Sequence, residues 1–263
     1  MALPPVVPPM AQRTFQPEQE WIADVLPEGI PVGRSTLVSG PGGSGKPLIG
    51  FSVVDSWLEA GGSVVMLLTN SGKDFVVETM AELYDTDLTA HDGRIAWIDF
   101  DPELDPHVEA IETVRPREVR GNLLDPAVWR ETLERGTAAV PGESPGTLVF
   151  ASALNLFLFS PTYGDAMLDE FVETASADDD LTSLFTVSTS AFEDDIAEVE
   201  DAADTVLMTT MEEGTLGLYG VRSDSVEIST DEIDVPFTEA QLGQIKSVAE
   251  ETRDSIIPTI KKI

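Results

Sequence analysis

The run Gly40-Pro-Gly-Gly-Ser-Gly-Lys46 carries the strongest chemical signal in the chain. Glycines so spaced let successive backbone N–H groups turn toward one point, a nest for phosphate oxygens. A helix that starts there adds the positive end of its dipole. In the pattern G-x-x-x-x-G-K-S/T the lysine reaches the terminal phosphates and the last hydroxyl holds magnesium. Gly40, Pro41, Gly42, Gly43, Ser44, Gly45 and Lys46 are therefore the candidate nucleotide-binding residues. The pattern then breaks at Pro47, which stands where Ser or Thr belongs. Proline fits the first turn of a helix, but it offers no hydroxyl to a metal and no N–H to a phosphate. A lost N–H to a charged acceptor is worth about 1.5–3 kcal/mol. Phosphate binding tolerates that loss better than metal-assisted hydrolysis does.

Other chemistry is sparse. The chain has no Cys and two His, His91 and His107. Disulfides, thiol catalysis and Cys-based metal sites are excluded, and two His in polar, loop-like sequence fall short of a metal site. No catalytic residue and no metal ligand is assigned.

The loop needs a strand before it and a helix after it. Ser35–Ser39 is a short apolar run rich in β-formers, and Leu48, Phe51, Val54, Trp57 and Leu58 recur at helical spacing up to Gly61-Gly62. Beyond them the pattern alternates. Strands are predicted over 63–69, 94–100, 147–151, 184–188 and 205–210. Helices are predicted over 18–26, 74–84, 126–135, 165–175 and 193–203, with residues 101–125 irregular. Such a rhythm implies an α/β fold, a mostly parallel central sheet with helices on both faces. After residue 210, the runs 216–221 and 225–229 are predicted to form an antiparallel hairpin, because the short link at Arg222-Ser-Asp224 forbids parallel pairing. Phe237–Ile257 reads as a final charged helix. The expected organisation is a Pro-rich arm (1–17), a core domain (18–235) and a C-terminal helix (236–263).

Composition bounds the setting. There are 48 acidic against 15 basic residues, a formal net charge of −33, with 42% hydrophobic residues. The acid is spread among regular apolar segments, so it is not a disordered tail. Self-repulsion on this scale strains a compact state in ordinary salt; in molar salt the Debye length falls to about 3 Å and screens it. The expectation is a cytosolic protein of an extreme halophile. Acidic runs such as Asp178–Asp180 and Glu193–Asp195 read as solvated faces or helix N-termini. No apolar run reaches the roughly 18–20 residues that span a bilayer. Met1–Pro9 has four prolines and no basic flank, unlike a signal peptide. Arg115, Arg117 and Arg120 form the densest basic stretch; in so acidic a chain it reads as a solvated, paired face, and nucleic acid is not the expected partner.

Pro31-Val-Gly-Arg-Ser-Thr-Leu-Val-Ser-Gly-Pro-Gly-Gly-Ser-Gly-Lys46 resembles the opening of the KaiC/RadA/RecA-type ATPases, in particular archaeal KaiC-like proteins. Gly61-Gly-Ser-Val-Val-Met-Leu-Leu68 is similar to their second strand, and the resemblance covers about residues 27–230. It implies a RecA-like P-loop NTPase fold, ATP or another nucleotide at Gly40–Lys46, and a homo-oligomeric ring or filament. It also exposes departures. The acid expected just past the second strand is replaced by Thr69-Asn70-Ser71. The Walker B strand, Leu148–Ser152, offers Ala151 in place of Asp. Of the late Lys-x-Arg pair that reaches a neighbouring subunit, Arg222 alone remains, as the candidate inter-subunit contact. Ile95–Asp99 also ends in an acid, leaving Asp99 as an alternative Walker B residue, although its separation from Lys46 is short. The resemblance and these losses together imply a degenerate, non-hydrolysing regulatory, scaffold or assembly subunit, binding nucleotide weakly or not at all and poorly equipped for Mg2+. A working ATPase of the same fold is the alternative, and a DNA-binding recombinase relative a third.

Overall fold

The computed structural model describes residues 12–69, 71–104, 110–177 and 181–263, apart from the side chains of Ala249 and Thr252. The expectations for Met1–Ala11, Asn70, His107 and Asp178–Asp180 fall outside these residues. The elements are β1 (Thr14–Phe15), α1 (Glu20–Val25), β2 (Ile30–Pro31), β3 (Ser35–Ser39), α2 (Lys46–Glu59), β4 (Ser63–Leu68), α3 (Lys73–Tyr84) and β5 (Ile95–Phe100). Then come β6 (Ile111–Arg115), β7 (Glu118–Gly121), α4 (Pro126–Ala138), β8 (Thr147–Ala151), α5 (Gly164–Ser176), β9 (Thr182–Thr186) and α6 (Glu193–Ala202). The chain closes with β10 (Thr205–Glu212), β11 (Thr215–Ser223), β12 (Ile233–Val235) and α7 (Glu239–Ile260).

A sheet of 10 strands runs in the order β12-β11-β10-β3-β9-β8-β4-β5-β7-β6. Every neighbouring pair from β10 to β7 is parallel. The antiparallel strands lie at the edges, β11 and β12 on one side and β6 on the other. The inner strands β3, β4 and β9 are buried along their whole length, as strands covered on both faces must be.

Period-two alternation divides the core into two layers. Val38, Val64, Met66, Leu148 and Phe150 face the layer of α1, α2 and α3, with Phe51, Val54 and Trp57 at its centre. Leu37, Val65, Leu67, Val149 and Ala151 face α4, α5 and α6, against Trp129, Phe157 and Phe171. Helix starts follow capping chemistry. Asp125 accepts a hydrogen bond from the Ala127 amide at 2.8 Å, with Pro126 leading into α4, and Thr238 with Gln241 forms a reciprocal capping box on α7.

Three expectations need correction. Residues 101–125 are not wholly irregular: β6 and β7 form a hairpin there. β6 is the edge strand and carries charges in place of an apolar stripe, while β7 is only four residues long, so little alternation betrays the pair. At the opposite edge the hairpin is β10–β11, turning at Glu213-Gly214, and residues 225–229 are not a strand. Gly214, at φ 84, supplies the backbone conformation that this turn needs. Lastly, part of the expected arm is built into the fold. Thr14–Phe15 pairs with Ile30–Pro31, and Phe15 packs edge-on to Trp57 at 4.7 Å between ring centroids.

Candidate phosphate site

Ligands of open α/β sheets bind beyond the C-terminal ends of the strands. The candidate loop leaves β3 at that end and feeds directly into α2. Gly43 and Gly45 both take φ 75, a left-handed conformation that costs residues with a Cβ roughly 1–2 kcal/mol. Gly45 is the N-cap of α2, and Pro47 sits in its first turn, the place sterically open to proline.

Lys46 folds back into the loop. Its Nζ donates to Gly40 O at 3.0 Å, Pro41 O at 2.6 Å and Ser44 Oγ at 3.1 Å. The residue is 6% exposed, and burial pushes its ammonium down to about 7. Among the described residues no carboxylate pairs with it. A hydrogen-bond chain continues inward: Ser44 Oγ lies 2.9 Å from Thr209 Oγ1, which donates to Ser39 O at 3.0 Å. On the outer side the Gly42 amide donates to Ser190 Oγ at 2.8 Å. The loop thus closes around the buried Lys46 ammonium, which among the described residues has no carboxylate partner.

The tip of β8 completes one wall. Ala151 is fully buried, in register with Leu67 of β4 and Phe185 of β9. Just beyond, Ala153 turns at φ 56 and its amide donates to Thr186 Oγ1 at 3.1 Å. Asn155 Oδ1 accepts from the Ser188 amide at 3.1 Å. These residues do not fit a magnesium ion. Pro47 offers no hydroxyl and Ala151 no carboxylate, and among the described residues no group of three or more His, Asp or Glu is arranged to hold a metal.

Asp99 stands far from the loop. It lies on β5, with β4, β8 and β9 between it and the loop strand, roughly 19 Å across the sheet at ~4.8 Å per strand. Its Oδ2 accepts from Arg120 Nε at 3.3 Å. Partial burial raises its carboxyl and Arg120 lowers it. The other arginines of that stretch are also paired, Arg115 with Glu118 at 3.6 Å and Arg117 with Asp92 at 3.2 Å.

Arg222 is occupied within its own chain. Its guanidinium donates to Glu200 O at 2.9 Å, to Asp201 O at 2.6 Å and to Ala203 O, and pairs with Asp224 at 3.2 Å. Helix α6 has no basic residue in its last turn; Arg222 supplies the positive charge that the free carbonyls attract.

Sequence reading missed the role of α7. Leu242 and Ile245 are each 5% exposed. A Cβ placed on Gly45 would lie 2.5 Å from Leu242 Cδ2, and one on Gly43 3.5 Å from Lys246 Cδ and Cε. The helix therefore lies across the loop. A 90 Å³ cavity remains between Gly42–Pro47 and the Ile245–Lys246 turn. Beside it a 360 Å³ groove opens toward Asn155, Ser190 and Arg253. The available signal was the apolar set Leu242, Ile245, Ile256 and Ile260, at helical intervals on an otherwise charged helix. A larger groove of 730 Å³, lined by Arg13, Thr137, Pro145 and Thr147, lies at the N-terminal start of β8, away from the loop.

No protein-family model and no curated protein matches the sequence. Solved structures do match. The KaiC-like protein of the hyperthermophilic archaeon Pyrococcus horikoshii superposes with a TM-score of 0.65 at 13% identity, covering 87% of this chain and 96% of that one. The likeness is one of fold: an α/β, RecA-like architecture, as the opening motif implied. Among the described residues, no helix is long and apolar enough to cross a membrane.

Proposed function

We propose that this chain is a degenerate RecA/KaiC-like protein that does not hydrolyse nucleotide and serves as a regulatory, scaffold or assembly subunit. The observation that carries this reading is the pairing of Pro47 in the first turn of α2 with buried Ala151 at the tip of β8. Phosphoryl transfer needs a metal shell and an oriented nucleophile, and both positions that would organise the metal lack an oxygen ligand. Asn70 follows β4 in the sequence where the resemblance puts an acid. The retained cradle, Gly40–Lys46, supports residual binding of a phosphate-bearing ligand with no role for Mg2+. ATP turnover by the purified protein in molar KCl is the test. Background-level hydrolysis is expected, and turnover that disappears in Lys46→Ala would sink the reading.

The second reading, a working ATPase, is favoured by the intact loop alone. It requires an acid near Lys46, which Asp99 on β5 does not supply. Assembly into a ring or filament of copies is part of the proposal and is read by light scattering in molar salt. The net charge of −33 supports a concentrated-salt cytosol. Stability is expected to rise steeply as KCl goes from about 0.1 to 1 M, because the Debye length shrinks from about 10 to 3 Å; a flat salt response would remove this part of the reading.

A further inference from the structure

We propose that α7 is an intramolecular lid whose docked position excludes nucleotide from the Gly40–Lys46 cradle. This rests on reading that cradle as a nucleotide-phosphate site. The contact is apolar and local. Leu242 fills the space beside Gly45, with Leu216 of β11 behind it at 3.5 Å from the same point. One turn on, Ile245 and Lys246 roof the cavity over Gly42–Pro47. With α7 docked the space against the loop is 90 Å³, whereas sites for drug-sized ligands run to about 300–1,000 Å³. The neighbouring 360 Å³ groove is also bounded by α7, through Lys246, Glu250 and Arg253. That groove reaches Gly42 and Gly43, but phosphates seated deep against Gly45 and Lys46 need more than the 90 Å³ left there until Leu242 and Ile245 leave the loop.

The helix is tethered at Phe237, just before its first turn, and held at its C-terminal end. At its start the Thr238–Gln241 capping box fixes the first turn, and Phe237 packs edge-on to Trp21 at 6.1 Å. At its end Ile260 is fully buried, and Lys261 Nζ lies over the Phe159 ring at 5.1 Å. Over the cradle, Leu242 and Ile245 are the deeply buried side chains among the described residues. The polar partner there is a 4.0 Å Lys246–Glu250 pair, half exposed on both sides, of the kind that contributes little. Such a lid lowers apparent affinity by the fraction of time it stands open. Nucleotide binding and α7 release are then the same equilibrium, and α7 becomes the element through which occupancy is reported.

The test uses the full chain in molar KCl. ATP affinity is measured by calorimetry for the unaltered protein and for Leu242→Ala/Ile245→Ala, with thermal unfolding to verify that the variant is folded. The lid predicts at least tenfold tighter ATP binding in the variant. Hydrogen exchange on the unaltered chain gives a second reading that needs no substitution: ATP should accelerate exchange over residues 239–248. The proposal is overturned if the variant binds ATP no more tightly, if neither protein binds it, or if ATP slows exchange there. Slowing, together with weaker binding by Lys246→Ala, would make α7 a clamp on the phosphates instead. ATP hydrolysis lost in Lys46→Ala would defeat the non-hydrolysing reading and leave the lid standing. Absence of ATP binding in both proteins would do the reverse.

Discussion

Two regions of this molecule carry residues suited to phosphate chemistry, and they have divided the parts between them. At the loop, Lys46 is buried with neutral oxygens as its only described hydrogen-bond partners. At the β5–β7–β6 edge, Asp99, Asp101 and Glu112 cluster around one guanidinium, Arg120, at 3.3–3.9 Å. An NTPase needs cation, metal and acid at one strand end. Here the glycines and lysine stand between the end of β3 and the start of α2, and the surplus acid stands four strands from β3, part exposed and satisfied by arginine. The difference teaches that residue inventory does not define a site when the sheet separates the inventory.

The largest effect that could break this contrast concerns Lys46. Its ammonium is lowered from 10.5 to about 7, so above pH 7 the unfolded chain binds the proton more tightly than the folded one. Stability must therefore rise with pH, by on the order of 4 kcal/mol toward pH 10. The window closes near pH 10, where burial raises the Tyr84 phenol and opposes the trend. Denaturant unfolding across pH 7–10 should show the rise in the unaltered protein and a flat profile in Lys46→Met. A second substitution asks whether the tip of β8 really is an apolar position. Ala151→Asp buries a carboxylate without a metal and should cost about 3 kcal/mol, read as a fall in Tm. A neutral outcome would mean that a cation reaches the site.

A smaller effect separates the two glycines of the loop. Gly45→Ala must combine a left-handed backbone with a clash against Leu242, an expected cost of about 2 kcal/mol. Gly43→Ala meets only the flexible Lys246 stem and should cost about 1 kcal/mol. Equal costs would show that α7 does not rest on Gly45. The smallest effect belongs to the edge: Asp99→Asn removes a half-exposed ion pair and should change stability by less than about 1 kcal/mol, with ligand binding at the loop unaltered. A large change in nucleotide affinity would erase the separation on which the contrast depends.

Much of the fold was legible because its signals are local. A strand buried on both faces, such as Ser63–Leu68, shows a continuous apolar run, and α2 and α4 show helical spacing behind a glycine or an Asp cap. The β6–β7 hairpin escaped because solvent lies along its edge and permits Ile-Glu-Thr-Val-Arg in place of an alternating pattern. The apolar pattern puts the late hairpin one strand too far on, since Val226 and Ile228 have the composition of strand residues yet pack as coil against the core. The family resemblance makes Arg222 a candidate inter-subunit contact on a late strand. Its partner is a helix C-terminus some 20 residues earlier, and nothing in local spacing encodes that meeting.

The amino-acid sequence by itself determined the conformation of the Gly40–Lys46 turn, the loss of a hydroxyl and an amide at Pro47, and the alternation of strands and helices. Each of these follows from backbone sterics or side-chain chemistry within a few residues. Only the tertiary structure decided that Ala151 is buried at the end of β8, that Asp99 lies four strands from β3, and that α7, some 200 residues after the loop, lies across it. Those facts depend on strand order and on which apolar faces find one another, which are properties of the packed chain and not of any segment within it.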